Sequence, residues 1–160
     1  MMMGFKVALG CAIVGVVAAH PQASSEHLDR ILRGEVSKRD LELVLAQHNE
    51  DASWSDAYKH VRTVYCKCGA SCAEGAIPLQ NVGREGHTFL WHIVKKYDQL
   101  AKWTVFSQAE EPTEGYMGHN RGGGHMLTGA TFTDYLTHPH QPGSDNSEAF
   151  FLMTSKVHLP

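Results

Sequence analysis

The sequence predicts an α/β fold with three layers and a mostly parallel sheet. Three short runs of apolar and β-branched residues, at 41–46, 61–65 and 103–107, have the length and composition of buried strands. Between the second and third runs, residues 89–97 have the apolar spacing of an amphipathic helix. Strands that alternate with helical segments are typical of a parallel sheet covered by helices on its faces.

The composition is that of one globular domain. The chain has 160 residues, of which 42% are hydrophobic and 19% charged, so it is long enough to bury a substantial core. Its formal net charge is −3, and it has no long basic run. A nucleic-acid partner or an anionic membrane surface is therefore disfavoured, because nothing in the sequence would neutralise an extended array of phosphates.

Residues 1–19 have the pattern of a cleaved signal peptide. Lys6 precedes an apolar stretch from Val7 to Ala19, and small side chains at Val17 and Ala19 suit a signal peptidase. That stretch is 13 residues long, shorter than the roughly 20 residues that span a bilayer. We therefore expect a secreted protein, or one in the lumen of the secretory pathway, with no integral membrane span after cleavage.

Residues 20–39 are expected to form a helix or a linker before the domain. Ser25 is placed to cap a helix with apolar positions at Leu28, Ile31 and Leu32, which ends near Gly34. Charged residues occupy its other sides, which favours a solvated surface helix or a mobile linker. The domain is expected to cover residues 40–136, and an irregular segment is expected at 137–160.

Polar and acidic side chains follow the first and third predicted strands. They are Asn49, Glu50, Asp51, Gln108, Glu110 and Glu111. Ligands of parallel α/β sheets bind beyond the carboxyl ends of the strands, so these residues are candidates for substrate binding or catalysis. For the first group a structural role is also open, in which Asn49 or Asp51 caps a short helix that includes Trp54. The two roles are compatible.

A polar turn leads into the predicted helix. It contains Asn81, Gly83, Arg84, Glu85 and His87. Unpaired N–H groups and the helix dipole at a helix N-terminus favour an anion, so the turn is a candidate phosphate-binding site. The alternative for Arg84 and Glu85 is an ion pair that fixes the loop to the sheet. The helix is expected to dock through one face, formed by Phe89, Leu90, Ile93, Val94 and Tyr97.

Three cysteines follow the second predicted strand, at Cys66, Cys68 and Cys72. We expect a disulfide from Cys72 back to either Cys66 or Cys68, which leaves one thiol over. A zinc site is disfavoured here, because a closed structural site needs a fourth ligand and C-x-x-C spacing.

The last third of the chain is rich in glycine and histidine, with one short helix or turn predicted at 132–136. Paired histidines suggest a rival function as a transition-metal hydrolase or a metal-binding module. The pairs are His119 with His125 and His138 with His140. No fixed metal-binding spacing accompanies them, so solvated loop histidines are the favoured interpretation.

Two further expectations concern aromatic residues. Trp54, Trp91 and Trp103 have apolar neighbours and are expected in the core, not as platforms for sugar rings. Residues 150–153, with two consecutive phenylalanines, are expected to form a further strand.

Four motifs, in this order, resemble those of the domain-of-unknown-function family 3431. The motifs are L-V-L-A-Q-H-N-E-D-A-S-W at 43–54, N-V-G-R-E-G-H-T-F-L-W-H-I-V at 81–94, Y-D-Q-L at 97–100 and T-V-F-S-Q at 104–108. The resemblance implies a family of fungi, oomycetes and related eukaryotes. The resemblance covers residues 40–136 and implies a layout similar to the nucleotide-binding half of GT-A glycosyltransferases. The family's later portion is expected to be incomplete beyond Tyr135 in this chain.

The resemblance implies a glycosyltransferase-like domain that acts on or binds carbohydrate or a sugar nucleotide. In that role, Arg84 and His87, with the backbone at residues 83–86, would bind the phosphates. Glu50 or Asp51 would bind ribose or metal.

A divalent cation is the cofactor that this resemblance implies. The usual Asp-x-Asp that holds such a cation is absent, and Glu110 and Glu111 lie near the corresponding place as metal ligand or base. The alternative function is a non-catalytic secreted binding protein that kept the scaffold and lost the chemistry.

Overall fold

The protein is described by a computed structural model that covers residues 21–69, 71–113 and 131–137, with side chains from residue 25 onward. Its centre is a four-stranded parallel sheet with the strand order β3-β2-β1-β4. The strands are β1 (Leu41–Gln47), β2 (Arg62–Cys66), β3 (Ile77–Pro78) and β4 (Trp103–Gln108). Helices cover both faces, so the predicted three-layer α/β fold with a parallel sheet is confirmed.

The central strand, β1, is buried along its whole length. It lies between β2 and β4, and both faces of the sheet are covered, which explains its nearly continuous apolar run. β1 begins where the sequence predicted and extends one residue further. β2 begins and ends one residue later than predicted, while β4 begins at Trp103 as expected and also extends by one residue.

β3 is a two-residue strand at the edge of the sheet. Pro78 pairs with Cys66 of β2, and the N–H of Leu79 donates a hydrogen bond to the Cys66 carbonyl at 2.8 Å. The sequence predicts no strand here, because the run is too short for a recognisable pattern.

The helices divide between the two faces. α1 (Pro21–Leu32), the 3-10 helix Ser53–Tyr58 and α3 (Phe132–Thr137) pack against the face that carries Leu43 and Leu45. α2 (Arg84–Lys95) packs against the opposite face. None of the helices in the described part of the chain has the length and apolar character needed to cross a membrane.

α1 is part of the core, whereas the sequence favoured a solvated helix or linker. Ile31 is fully buried in the same cluster as Leu43 and Leu136, and His27 is also buried. The helix contacts α3 and the 3-10 helix. α3 lies about a hundred residues later in the sequence, so the local pattern around Ile31 could not indicate what would cover it.

α2 is rotated relative to the expected docking face. Phe89 and Ile93 pack as predicted, but Leu90, Val94 and Tyr97 are 58%, 72% and 57% exposed. The buried face instead contains two polar residues.

These residues are Thr88 and His92, which are fully buried. The physical reason lies in the sheet, where Glu42 and Thr104 are buried beneath the helix. The buried carboxylate of Glu42 needs a polar partner, and the helix brings His92 towards it.

A chain of buried polar contacts joins α2 to the sheet. The hydroxyl of Tyr65 lies 3.1 Å from His92 Nδ1, and His92 Nε2 lies 3.4 Å from a carboxylate oxygen of Glu42. The second separation is long for a hydrogen bond, so the contact between His92 and Glu42 is looser than the one from Thr63. Thr63 Oγ1 donates to the other Glu42 oxygen at 2.6 Å. Burial raises the pKa of Glu42, but its contacts with His92, Thr63 and Lys38 outweigh burial, so the net pKa lies below its ordinary value.

We expect Ile31→Ala to lower the free energy of unfolding by about 2–5 kcal/mol, because it removes a fully buried side chain and leaves a cavity. The matched control is Leu32→Ala on the adjacent residue. Leu32 is 47% exposed, so its substitution should change the free energy by no more than about 0.5 kcal/mol. Urea unfolding followed by circular dichroism measures both variants. Equally small changes would mean that α1 does not pack on the core.

We expect Glu42→Gln to lower the free energy of unfolding at neutral pH by about 1–3 kcal/mol, because a buried carboxylate loses its charged contacts. The folded-state pKa is lowered, so the stabilisation is present above the unfolded carboxyl pKa of about 4.3 and is lost as pH falls through the folded value. The variant should therefore lose less stability than the wild type when the solution is acidified.

Urea unfolding between about pH 3 and pH 7 measures this difference. Glu74→Gln, at an exposed position, is the control. If Glu42→Gln and the wild type lose the same stability on acidification, the Glu42 carboxylate does not stabilise the fold through these contacts.

Candidate functional site at the carboxyl edge of the sheet

The strand order of the sheet reverses between β1 and β4. From β1 the chain proceeds to β2 and β3, and it then returns through α2 to β4 on the other side of β1. Ligands of open parallel sheets bind outside the carboxyl ends of the strands at such a reversal. Because all four strands are parallel, the segments that follow them lie along one edge. This carboxyl edge is the candidate site.

The acidic residues after β1 stabilise their own turn. The Glu50 carboxylate accepts hydrogen bonds from the backbone N–H groups of His48 at 2.6 Å and Asn49 at 3.1 Å. The Asp51 carboxylate accepts from the Ser53 N–H at 2.9 Å and the Ser53 hydroxyl at 2.8 Å. These two bonds lower the pKa of Asp51. Asp51 therefore stabilises the turn that leads into the 3-10 helix. The expected capping by Asn49 or Asp51 is wrong, because the N-cap residue is Ala52 and it makes no side-chain cap hydrogen bond.

Gln47, the last residue of β1, connects this turn to the cysteine-containing loop. Its side chain is buried, and its Nε2 donates to the carbonyls of Glu50 at 2.9 Å and Ser71 at 3.3 Å. Its Oε1 accepts from the Ala73 N–H at 2.8 Å. The sequence did not single out Gln47, because all three partners are backbone groups and leave no signature in the residue types.

The turn before α2 has two consecutive residues in the left-handed region, Gly83 at φ 60° and Arg84 at φ 49°. A Cβ at position 83 would lie 2.9 Å from the Cβ of His87, so this position requires glycine. Within the described residues, Arg84 is the one non-glycine residue with a positive φ. Backbone conformations of this kind are enriched at ligand-binding and catalytic sites.

Lys67 holds this turn from the sheet side. Its Nζ donates to the carbonyls of Val82, at 2.7 Å, and of Arg84. Lys67 is 9% exposed; burial lowers its pKa, and the charge of Glu85 acts in the opposite direction. A trans peptide directs its N–H opposite to its C=O. Two carbonyls that point towards Lys67 therefore turn the N–H groups of the following residues, Gly83 and Glu85, away from it.

The side chains of the turn face solvent. Asn81, Arg84 and Glu85 are exposed. Across the residues that the structure describes, Arg84 and Glu85 do not form an ion pair with each other. The alternative in which this pair fixes the loop is therefore wrong, because Lys67 fixes it through the backbone.

His87 and Trp91 lie one helical turn apart on α2, with their ring centroids 6.0 Å apart. Trp91 is 40% exposed, and the Nζ of Lys95 lies 4.9 Å from its ring centroid. The expectation that Trp91 belongs to the core is wrong, because the rotation of α2 turns it outward. Trp103 is buried as expected, and Trp54 packs against the core while its indole N–H donates to the Ala109 carbonyl at 2.8 Å.

The end of β4 supplies the remaining predicted residues. Gln108 pairs in register with Ala46 of β1, and it lies two residues after Phe106, on the sheet face that α2 covers. Glu110 is half-buried and Glu111 is exposed. Along the carboxyl edge, the structure thus places the predicted residues in three segments: the turn after β1, the turn before α2 and the end of β4.

The cysteine loop also lies at this edge. Cys66 and Cys72 form a disulfide with a Cα–Cα distance of 5.7 Å, which decides between the two predicted pairings. Cys68 lies outside the disulfide, and all three sulfurs are within 4.8 Å of one another. In this state, two of the three sulfurs are not thiolates and are poor ligands for zinc.

Several predictions concern residues outside those that the structure describes. They are the signal peptide at 1–19, the histidine pairs His119 with His125 and His138 with His140, and the strand at 150–153. The short helix predicted at 132–136 is present as α3.

Comparison with known proteins identifies one family. The family described as Protein of unknown function (DUF3431) matches residues 43–128, a region that contains most of β1, the other three strands, α2 and the turn before it. No curated protein and no solved structure matches the chain. The matched region covers more than half of the sequence, and the chain therefore belongs to the DUF3431 family.

Proposed function

We propose that this domain binds a sugar nucleotide at the carboxyl edge of its sheet, as the donor site of a glycosyltransferase-like enzyme. One observation carries the proposal. The bonds from Lys67 to the carbonyls of Val82 and Arg84 turn two backbone N–H groups away from the sheet, at the positive end of the α2 dipole.

This arrangement suits a diphosphate. Phosphate oxygens need hydrogen-bond donors and a positive charge, and a helix N-terminus supplies both at little cost in reorganisation. The N–H groups of Gly83 and Glu85 supply donors, and the Arg84 guanidinium supplies a charge in a geometry that two phosphate oxygens match. The buried ammonium of Lys67 adds positive potential beneath the turn.

The residues after β4 suit the rest of a sugar nucleotide. Glu110 and Glu111 take no part in the turn after β1, and carboxylates are the ligands that Mg²⁺ and Mn²⁺ prefer. These two residues would hold a divalent cation, which neutralises a departing diphosphate, or activate an acceptor hydroxyl as a base. Gln108, Asn49 and Asn81 offer amide groups for the hydroxyls of ribose or sugar.

A second candidate is a binding protein without catalysis. It is favoured by the hydrogen bonds of Glu50 and Asp51, whose carboxylates already accept from the backbone of their own turn. Carboxylates used in this way are poorly placed to bind a metal or accept a proton from substrate.

We also propose that the protein works in an oxidising compartment, either the lumen of the secretory pathway or the outside of the cell. The disulfide between Cys66 and Cys72 supports this location, because disulfides persist where thiols are not kept reduced. The signal-peptide pattern of residues 1–19 supports the same location.

We expect the wild-type protein to bind sugar nucleotides in isothermal titration calorimetry, and Arg84→Ala to bind them roughly 10- to 100-fold more weakly, because a charge-assisted contact with phosphate is lost. The titrations use uridine and guanosine diphosphate sugars, with and without Mn²⁺. Arg39→Ala is the matched control, since Arg39 is also exposed but precedes β1 at the opposite edge of the sheet.

The outcomes separate the two candidates. If the wild type binds neither uridine nor guanosine diphosphate sugars, both the enzyme and the non-catalytic binding protein are refuted for these ligands. Binding with hydrolysis or transfer of the sugar, lost in Glu110→Gln or Glu111→Gln, would support the enzyme. Binding without turnover would support the non-catalytic protein.

We expect Lys67→Met to weaken sugar-nucleotide binding by roughly 10-fold, although Lys67 contacts the turn and not the ligand. The substitution keeps the aliphatic stem but removes the donor to two carbonyls, so the N–H groups of the turn lose their fixed direction. Lys59→Met, at an exposed lysine, is the control. An unchanged affinity in a folded Lys67→Met variant, with its circular dichroism spectrum preserved, would contradict the observation that carries the proposal.

A further inference from the structure

An aromatic pair lies on the solvent side of α2, and the proposed phosphate contacts do not use it. Trp91 is 40% exposed, and its ring lies 6.0 Å from that of His87, with the two planes inclined at 44°. His87, Trp91 and Lys95 follow one another at intervals of four residues, so they form a row along one side of the helix. Tryptophan is enriched at binding surfaces, because its large apolar ring gains most from being covered.

This row starts beside the turn before α2. The N–H of His87 donates to the carbonyl of Gly83 at 3.1 Å, within the first turn of the helix. Trp91 lies seven residues after Arg84, which is about 10 Å along the helix axis. Helical side chains lean towards the N-terminus, so the indole lies closer to the turn than its Cα does. A ligand held by the turn can therefore extend along the outer side of α2 to the aromatic pair.

We propose that His87 and Trp91 form the platform on which the base of a nucleoside diphosphate stacks. The platform depends on the proposed function, because the turn before α2 supplies the phosphate contacts. A nucleobase is flat and aromatic, and ribose joins it to the diphosphate, so the two ends of the ligand match two separate parts of α2. Arg84 and Lys95, both exposed, place positive charge on this side of the helix and favour an anionic ligand.

A base must compete with Lys95 for the indole, because the Nζ of Lys95 lies 4.9 Å from the ring centroid. An exposed cation–π contact is worth roughly 2- to 5-fold in an equilibrium constant, whereas stacking of a base on an aromatic side chain is worth roughly 5- to 100-fold. The base therefore displaces the ammonium, whose exposed side chain can rotate away. Every base has a flat face, so the platform accepts uracil and guanine alike.

Isothermal titration of the full chain with uridine diphosphate, guanosine diphosphate and inorganic pyrophosphate tests the platform, because pyrophosphate carries the phosphates without a base. We expect Trp91→Leu to bind both nucleotides roughly 5- to 100-fold more weakly and to bind pyrophosphate as the wild type does. Trp91→Phe keeps an aromatic ring and should restore most of the affinity. Leu32→Ala, at an exposed position on α1, is the control and should change neither affinity.

Tryptophan fluorescence gives a second measurement that does not depend on affinity. A base stacked on Trp91 quenches the emission of its indole. Saturating uridine or guanosine diphosphate should therefore quench the wild type more strongly than Trp91→Phe, which keeps Trp54 and Trp103. Pyrophosphate should quench neither protein. Equal quenching of both proteins by the nucleotides would mean that the base does not lie on Trp91, whatever the Trp91→Leu variant shows.

The titrations also separate the platform from the proposed function. If the wild type binds neither pyrophosphate nor the nucleotides, the two fail together. If pyrophosphate binding depends on Arg84 but a folded Trp91→Leu variant binds the nucleotides as tightly as the wild type, the platform alone is refuted. A loss confined to uridine diphosphate sugars, with uridine diphosphate unaffected, would put the sugar ring on the indole and would also exclude stacking of the base.

Discussion

The structure depends on the burial of Glu42 between the sheet and α2. A carboxylate on the central strand cannot be covered by an apolar helix face without a large penalty, so the helix presents His92 to it. This requirement fixes the rotation of α2. Because of this rotation, the side chains of Leu90, Trp91 and Val94 are exposed to solvent.

The same rotation affects the candidate site. The turn before α2 is held by Lys67, at the point where β2 ends, and the helix that follows it is fixed by contacts one to two turns later. Two constraints therefore act on α2. The bonds from Lys67 fix the backbone at its N-terminus, and the packing of His92 fixes the helix further along. The turn is well suited to a fixed ligand geometry because both constraints act on it.

The sequence predicted the layers, the three longer strands and the segments of the carboxyl edge, because apolar runs and polar strand ends are local features. It predicted only part of the buried face of α2, because hydrophobic periodicity counts apolar residues and does not detect that a buried His92 contacts Glu42. Gln47 and Lys67 were missed for a different reason. Their partners are backbone carbonyls and N–H groups, which every residue type supplies. The sequence did not decide the disulfide partner of Cys72, because Cys66 and Cys68 are both close enough to it along the chain to form the bond.

The proline in β3 has a consequence for association between molecules. Successive residues of a strand direct their N–H groups to opposite sides, and the N–H of Leu79 points to β2. The nitrogen of Pro78 therefore points to the open side of the sheet, where a proline has no hydrogen to donate. A strand from another molecule that approached this edge would find no donor at that position, and the edge is only two residues long. β3 thus protects this side of the parallel sheet against strand addition and aggregation.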